Sequence, residues 1–188
     1  ASTQVNIFVN TWLATGQGEG PVSWLNYAFR LMQFPLGIFG VAIASATLPT
    51  VSAHVATGEL EGLRKTLSSA LRMVLVINIP ASVGLIFLSR PIIALIYEHG
   101  KFKQTDTDAT SKALIFYAIG LFAYSGIKVV VPAVYALGRS RVPVIISTIS
   151  VVVNIALNLW LIEPLGYLGL ALGTSLTAIG NFGFLFRQ

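Results

Sequence analysis

Long uncharged stretches, separated by short segments rich in charges, glycine or proline, dominate the pattern of hydrophobic and polar positions along this chain. Stretches without Asp, Glu, Lys or Arg include 31–53, 73–89, 113–127, 142–162 and 164–186. An α-helix needs about 20 mostly apolar residues to cross about 30 Å of hydrocarbon. Strands of a membrane barrel instead alternate over about ten residues. The pattern therefore predicts transmembrane helices.

The segments between the stretches divide the chain into six predicted membrane-crossing helices. These are expected at about 3–15, 22–55, 59–88, 107–137, 144–161 and 167–187. The loop at 16–21 holds three glycines and one proline, which is a strong turn signal. A short interfacial helix is expected at 91–99, and Asp106 is the expected N-cap of the fourth long helix. The predicted fold class is an all-α polytopic membrane helix bundle.

The second predicted helix is longer than a membrane is thick. A continuous helix over 22–55 would be on the order of 50 Å long, so it must protrude, tilt or bend. Pro35, Gly37 and Gly40 are its candidate bending points.

Composition excludes several classes of protein. Of the 188 residues 55% are hydrophobic and only 10% charged, whereas soluble domains carry about 25% charged residues. The chain has no cysteine, so disulfide and thiol chemistry are absent. The net charge of +5 does not indicate nucleic-acid binding, because the cations lie at helix ends and inside the apolar helices rather than on one basic face.

The distribution of Lys and Arg predicts the orientation of the helices. The second, fourth and sixth connections, counting the end of the chain, carry six of these residues, and the other connections carry four. We therefore expect 54–72 and 139–141 in the cytoplasm, with the basic loop 90–112 as an exception. The chain starts without Met and stops directly after an apolar stretch, so we expect it to be a fragment of a longer protein.

Two cations lie inside apolar helices, at Arg30 and Lys128. A charge at the bilayer centre costs at least about 2.5–3.5 kcal/mol, so such residues usually face a protein interior or a wet cavity. The planar guanidinium of Arg30 suits bidentate binding of phosphate oxygens. Arg30 could instead reach the outer headgroups, since Pro21 is only about two turns away. Lys128 could instead bind backbone carbonyls as a packing device.

A polar cluster is predicted on the last two helices. Asn154 and Asn158 are spaced i, i+4 and share one helix face. Thr174 could lie opposite them, and Asn10 is a further buried amide on the first helix. Amide, hydroxyl and carbonyl oxygens suit a hard cation. Interhelical hydrogen bonding is the other interpretation, and the lack of a carboxylate favours it.

Enzymatic motifs are missing. His54 and His99 are far apart and belong to no H-E-x-x-H pattern, and no Gly-x-Ser-x-Gly motif occurs. The sequence therefore does not predict an enzyme. Gly169 and Gly173 form a small-xxx-small pair, which predicts close helix packing.

Three sequence blocks carry a resemblance to a known family. They are NYAFRLMQFPLGIFGVAIA at 26–44, PIIALIYEHGKF at 91–102 and YALG at 135–138. The first block is followed by Leu48-Pro49 and Ser52. Together they make the chain resemble the MurJ/MviN family of lipid II flippases, within the multidrug/oligosaccharidyl-lipid/polysaccharide (MOP) exporter superfamily. The resemblance covers nearly the whole chain.

The resemblance implies an architecture and a location. Members have two six-helix lobes around a cavity, related by a pseudo-twofold axis along the membrane normal. This chain would be the second lobe, and its partner would be the N-terminal lobe of the same multi-pass protein in the bacterial inner membrane. The loops 16–21 and 90–112 would be periplasmic.

The resemblance also implies site residues. Arg30 matches a cavity-facing arginine that family members need for flipping, Ser23 a position near the periplasmic mouth, and Lys128 a common basic position. Some members hold a sodium ion, whose ligands would fall at Asn10, Asn154, Asn158, Leu170 (backbone) and Thr174. This sequence has asparagine at 10 and 158, where a carboxylate can occur, and an all-neutral site would bind sodium more weakly.

The expected function is alternating-access transport of lipid II, the undecaprenyl-pyrophosphate-linked peptidoglycan precursor. Its expected partners are lipid II and membrane lipids, with no nucleic acid and no cofactor beyond a possible sodium ion. One alternative is a related exporter of another lipid-linked oligosaccharide or a drug. The other is a non-transporting membrane scaffold, in which Arg30 and Lys128 would be dispensable.

Overall fold

The computed structural model of the chain describes residues 9, 11–16 and 20–186, and all regular elements in that part are helical. In chain order these are α1 (Pro21–Pro35), a π-helical segment (Leu36–Val41), α2 (Ala42–Thr57), α3 (Leu60–Phe87), α4 (Ser89–Tyr97), α5 (Gln104–Ile119), α6 (Leu121–Ala136), α7 (Arg141–Leu165) and α8 (Tyr167–Phe186). Residues 11–15 are also helical. Most of the first expected helix, 3–15, lies outside the described residues.

Several of these helices are long and apolar enough to cross a membrane. Four do so alone, namely Pro21–Thr57, Leu60–Phe87, Arg141–Leu165 and Tyr167–Phe186. Helices α5 and α6 form a fifth candidate span, bent by 45°. Large apolar side chains point outward, as with Phe87 at 80% exposure and Trp160 at 74%. Lipid contact explains such a surface, and the prediction of an all-α membrane bundle is confirmed.

The long span Pro21–Thr57 is irregular in its middle. Pro35 has no backbone N–H to donate, and the π-helical segment begins directly after it. Gly40 lies in this segment, where a Cβ would be 3.5 Å from the Cα of Ser125 on α6. The irregularity falls where the sequence placed its candidate bending points.

The prediction of one continuous helix over 107–137 is wrong. The chain bends by 45° at Gly120, between α5 and α6. Gly120 packs directly on α8, and a Cβ there would lie 2.9 Å from the Cα of Ser175. The bend therefore depends on a close contact between distant segments, which local sequence does not reveal.

The start of α5 also differs from expectation. The helix begins at Gln104, so Lys103 is the capping residue and Asp106 is the third residue of the helix. The Asp106 carboxylate accepts a hydrogen bond from the Lys103 backbone N–H at 2.9 Å. Asp106 thus satisfies a free donor at the helix start from inside the first turn.

The connections gather at two opposite ends of the bundle. At one end the Trp24 ring lies 5.3 Å from the Tyr167 ring, which brings the start of α1 to the start of α8. At the other end Val51, Leu63 and Ala133 form one buried cluster, which joins the ends of α2 and α6 to the start of α3. This alternation agrees with helices that cross a membrane in turn.

Candidate substrate cleft and amide cluster

A cleft of about 430 Å³ lies between α1, α6, α7 and α8. Its polar lining side chains are Thr11, Asn26, Gln33, Tyr117, Tyr124, Lys128, Ser147, Ser150, Thr174, Thr177 and Asn181. Among the described residues that line it, Lys128 is the one charged group and none is acidic. The cleft therefore presents hydroxyl and amide groups and a positive charge inside an apolar bundle.

Arg30 stands at the rim of this cleft. Asn26 and Gln33, one turn away on either side of Arg30 along α1, both line the cleft. Arg30 itself is exposed and is not among the lining residues. Among the described residues, no helix covers the Arg30 side chain.

Lys128 lies inside the cleft on α6 and remains exposed. Its position in an apolar helix would be costly against lipid, but here the side chain faces a cavity whose lining includes polar groups. Lys128 and Arg30 come from different helices, and both border the same cleft.

Ser23 does not line the cleft that contains Lys128. It lines a second cavity of about 410 Å³ at the end of the bundle, which we name the end cavity. The end cavity is lined by Gly20, Ser23, Trp24, Tyr27, Tyr97, His99, Lys101, Phe102 and Asp106. Ser23 and Arg30 are seven residues apart and so share one face of α1, about 10 Å apart along its axis. That face links the two cavities.

The amides of the predicted polar cluster form a directed hydrogen-bond chain between α7 and α8. The Asn158 Nδ2 donates to the Asn154 Oδ1 at 2.9 Å, and the Asn154 Nδ2 donates to the Thr177 Oγ1 at 3.2 Å. The Thr177 hydroxyl then donates to the Gly173 carbonyl at 2.8 Å. Both asparagines are fully buried. Such a chain is the interhelical bonding typical of membrane bundles.

Four of the expected sodium ligands belong to this cluster or lie next to it. Asn154 and Asn158 share the hydrogen-bond chain, and one turn of α8 holds the other two, with the Thr174 hydroxyl donating to the Leu170 carbonyl at 2.6 Å. Asn10 lies outside the described residues. The Asn154 oxygen accepts from an amide rather than facing an open space, and the described oxygens carry no formal charge. The cluster suits hydrogen bonding between helices better than binding of a cation.

Of the residues that line the cleft, only Lys128 and Thr174 were singled out from the sequence. Ser147 and Ser150 are spaced i, i+3 on α7, and Thr177 and Asn181 are spaced i, i+4 on α8. All four line the cleft. Their spacing in otherwise apolar helices is the signal that could have found them, since such pairs share a helix face.

The sequence comparisons with known proteins all identify the same family. The profile of the family described as "Lipid II flippase MurJ" matches residues 1–188. "Probable lipid II flippase MurJ" of Vibrio cholerae is 36% identical over 185 residues, which cover 98% of this chain and 35% of that protein. "Lipid II flippase MurJ" of Burkholderia cenocepacia is 34% identical over 184 residues, covering 97% and 36%. The chain thus spans about a third of the length of these relatives.

Solved structures agree with this result. A structure titled "Lipid II flippase MurJ, inward closed conformation" superposes with a TM-score of 0.91 at 34% identity, covering 99% of this chain and 39% of that one. An outward-facing multidrug resistance MATE family transporter of the MOP superfamily superposes with a TM-score of 0.85 at 12% identity, covering 98% and 40%. The second likeness shows a shared fold alone.

Proposed function

The chain belongs to the MurJ family of lipid II flippases, and from this premise we propose that it is the second lobe of a flippase. The parent protein moves the undecaprenyl-pyrophosphate-linked peptidoglycan precursor from the inner to the outer leaflet of the bacterial inner membrane by alternating access. The activity is transport, with no covalent step. The N-terminal lobe of the same protein completes the cavity.

One observation carries this proposal. A cleft lined by both polar and apolar side chains, with no acidic side chain among its described lining residues, bears Lys128 inside and Arg30 at its rim. A pyrophosphate is dianionic, and entering an apolar bundle requires cations to offset its desolvation. The cleft supplies positive charge and hydrogen-bond donors at the same place.

The two cations have different tasks in this proposal. Arg30 grips two phosphate oxygens at once through its planar fork, whereas Lys128 acts as a point charge deeper in the cleft. Hydroxyl groups of Ser147 and Ser150 complete the set of donors. The prenyl tail stays in the lipid along the exposed apolar faces of the bundle.

The end cavity lies on the release side in this proposal. The loops 54–72 and 139–141 face the cytoplasm, as the Lys and Arg distribution favours. The loops 16–21 and 90–112 face the periplasm, although the four basic residues of 90–112 make it an exception to that distribution. Ser23 then lies two turns outward from Arg30 on the same helix face and contacts the headgroup after it has crossed. A sodium ion at the amide cluster stays a prediction, and no step of the transport depends on it.

The rival functions make different demands on the cleft. A drug antiporter would need a carboxylate within the membrane to exchange a proton or a cation, and no described residue of the cleft lining supplies one. An exporter of another lipid-linked oligosaccharide would keep Arg30 but carry a different headgroup. A scaffold would need neither Arg30 nor Lys128.

Complementation tests the proposal. Cells depleted of their own lipid II flippase would express the full-length parent protein, as wild type or with Arg30→Ala, at matched membrane levels. We expect wild type to restore growth and Arg30→Ala to fail, because a lost bidentate contact to phosphate removes about 1.5–3 kcal/mol. Arg30→Lys should restore growth only partly.

Arg90→Ala is the matched control. Arg90 forms an exposed ion pair with Asp108 at 2.7 Å, outside the cleft, and such surface pairs contribute about 0–1 kcal/mol. This variant should restore growth as wild type does. Rescue by Arg30→Ala would show that the arginine assignment is wrong, and failure of the wild type would point to another cargo or to a scaffold.

A further inference from the structure

The end cavity contains a cluster of aromatic rings that transport of a pyrophosphate does not require. The ring centroids of Tyr27 and Tyr97 lie 4.7 Å apart, and those of Tyr27 and Phe102 lie 5.6 Å apart in an edge-on arrangement. All three side chains are only partly buried. The rings come from α1, from the end of α4 and from the loop after it, so they form a platform between separate elements.

A fourth ring, that of Trp24, is held in a fixed orientation. Its indole N–H donates to the Asp106 carboxylate at 2.9 Å, and its ring packs on Tyr167. Gly20 lies beneath it with φ 111°, and a Cβ at that position would be 2.5 Å from the Trp24 Cζ2. Only glycine fits there, for both its conformation and its size. The wall of the cavity is therefore preorganised.

Two basic side chains stand beside this platform. His99 and Lys101 line the end cavity and are exposed, and Ser23 on α1 adds a hydroxyl group to the lining. The acidic residue of the lining, Asp106, is engaged by Trp24 and by the Lys103 backbone. The free polar groups of the cavity thus suit a ligand that combines an apolar C–H face, hydroxyl groups and a negative charge.

We propose that the end cavity is a recognition site for the sugar of the headgroup, an amino sugar bearing an acidic peptide. The sugar ring packs its C–H face on Tyr27 and Tyr97, where aromatic surface is buried at little entropic cost. A peptide carboxylate reaches Lys101. This inference rests on the proposed function and deepens it, because it assigns the sugar–peptide and the pyrophosphate to separate places on one face of α1.

The test uses the purified full-length protein and a water-soluble disaccharide–pentapeptide that lacks both lipid and pyrophosphate. Its Kd is measured by isothermal titration calorimetry. We expect Tyr97→Leu to raise the Kd roughly tenfold and Lys101→Gln roughly threefold. Tyr97→Phe keeps the ring and should bind nearly as wild type, which separates loss of stacking from loss of folding.

The matched controls remove a tyrosine ring or a lysine charge outside the end cavity. Tyr135→Leu and Lys112→Gln change exposed residues that do not line the end cavity, and both should keep the Kd within about twofold of wild type. Equal binding by Tyr97→Leu, Lys101→Gln and wild type would overturn the proposal. So would a wild type that binds inorganic pyrophosphate, but not the disaccharide–pentapeptide, in a way that depends on Lys101.

Complementation by the wild type separates this inference from the function on which it rests. Growth rescue without binding of the disaccharide–pentapeptide overturns the sugar site alone. Absence of rescue overturns the lipid II function, and the titration with its four variants then still decides whether the end cavity holds the sugar.

Discussion

At the scale of single residues, the glycines of α8 set how closely it packs on α7. A Cβ at Gly169 would run into the Leu161 carbonyl, and one at Gly173 would run into the Asn158 side-chain oxygen. Gly180 lies on the same helix with open space around its Cβ position. The small-xxx-small pattern of the sequence therefore corresponds to a close contact in the structure.

Gly169→Ala should destabilise the protein by roughly 1–3 kcal/mol, because the obstacle is backbone and the helices must separate. Gly180→Ala should leave stability unchanged or raise it slightly, since alanine favours the helix. Thermal unfolding of the full-length protein in detergent measures both. Equal unfolding temperatures for the two variants would contradict this packing.

The sequence identified the charged residues inside apolar helices, but it did not identify the residues that lie next to them in the fold. Arg30 and Lys128 are conspicuous because a charge in an apolar run is rare. That Ser23 and Lys128 line different cavities depends on where α1 meets the loop before α5. The Trp24–Asp106 bond joins positions 82 residues apart, and no local pattern contains such a contact.

At the scale of helices, the break between α5 and α6 shows how a membrane bundle satisfies a helix end. The Ser175 hydroxyl on α8 donates to the Phe116 carbonyl at 2.7 Å, and the Ser82 hydroxyl on α3 donates to the Ala118 carbonyl. These carbonyls lie in the last turn of α5, where a helix leaves acceptors unpaired. Water is scarce there, so two neighbouring helices supply the donors.

Ser175→Ala should therefore destabilise the protein by roughly 1–3 kcal/mol, the usual effect of leaving a buried acceptor unpaired. The double variant with Ser82→Ala should lose more. Ser69→Ala changes an exposed serine on α3 and is the control. Thermal unfolding measures all three, and a Ser175→Ala protein as stable as the Ser69→Ala protein would refute the role of these hydroxyls.

The positions of the helices were predictable because the length of an uncharged run is a local property. The break at Gly120 was not predictable, because no proline marks it and its contact residue Ser175 is far along the chain. The π-helical segment was predictable only in part. Pro35 and the glycines after it predicted an irregularity in this helix. That the irregularity is a π-helical segment depends on packing against α6, which local sequence does not show.

At the scale of the whole molecule, apolar, charged and polar side chains occupy different parts of the bundle. The outer surface is apolar, the ends carry the charged loops, and the cleft between α1, α6, α7 and α8 holds the polar groups. The residues of one face of α1 lead from the cleft rim at Arg30 to the end cavity at Ser23. In the proposed function, the headgroup follows this face while its tail stays in lipid, and the other lobe closes the path.

Transport by the reconstituted full-length protein is the most direct measurement of this account. Vesicles would contain lipid II, and the fraction accessible in the outer leaflet would be followed with time for wild type, Arg30→Ala and Arg90→Ala. We expect wild type and Arg90→Ala to move lipid II alike and Arg30→Ala to be slower by roughly tenfold or more. Movement by wild type no faster than in protein-free vesicles, or equal rates for all three proteins, would contradict it.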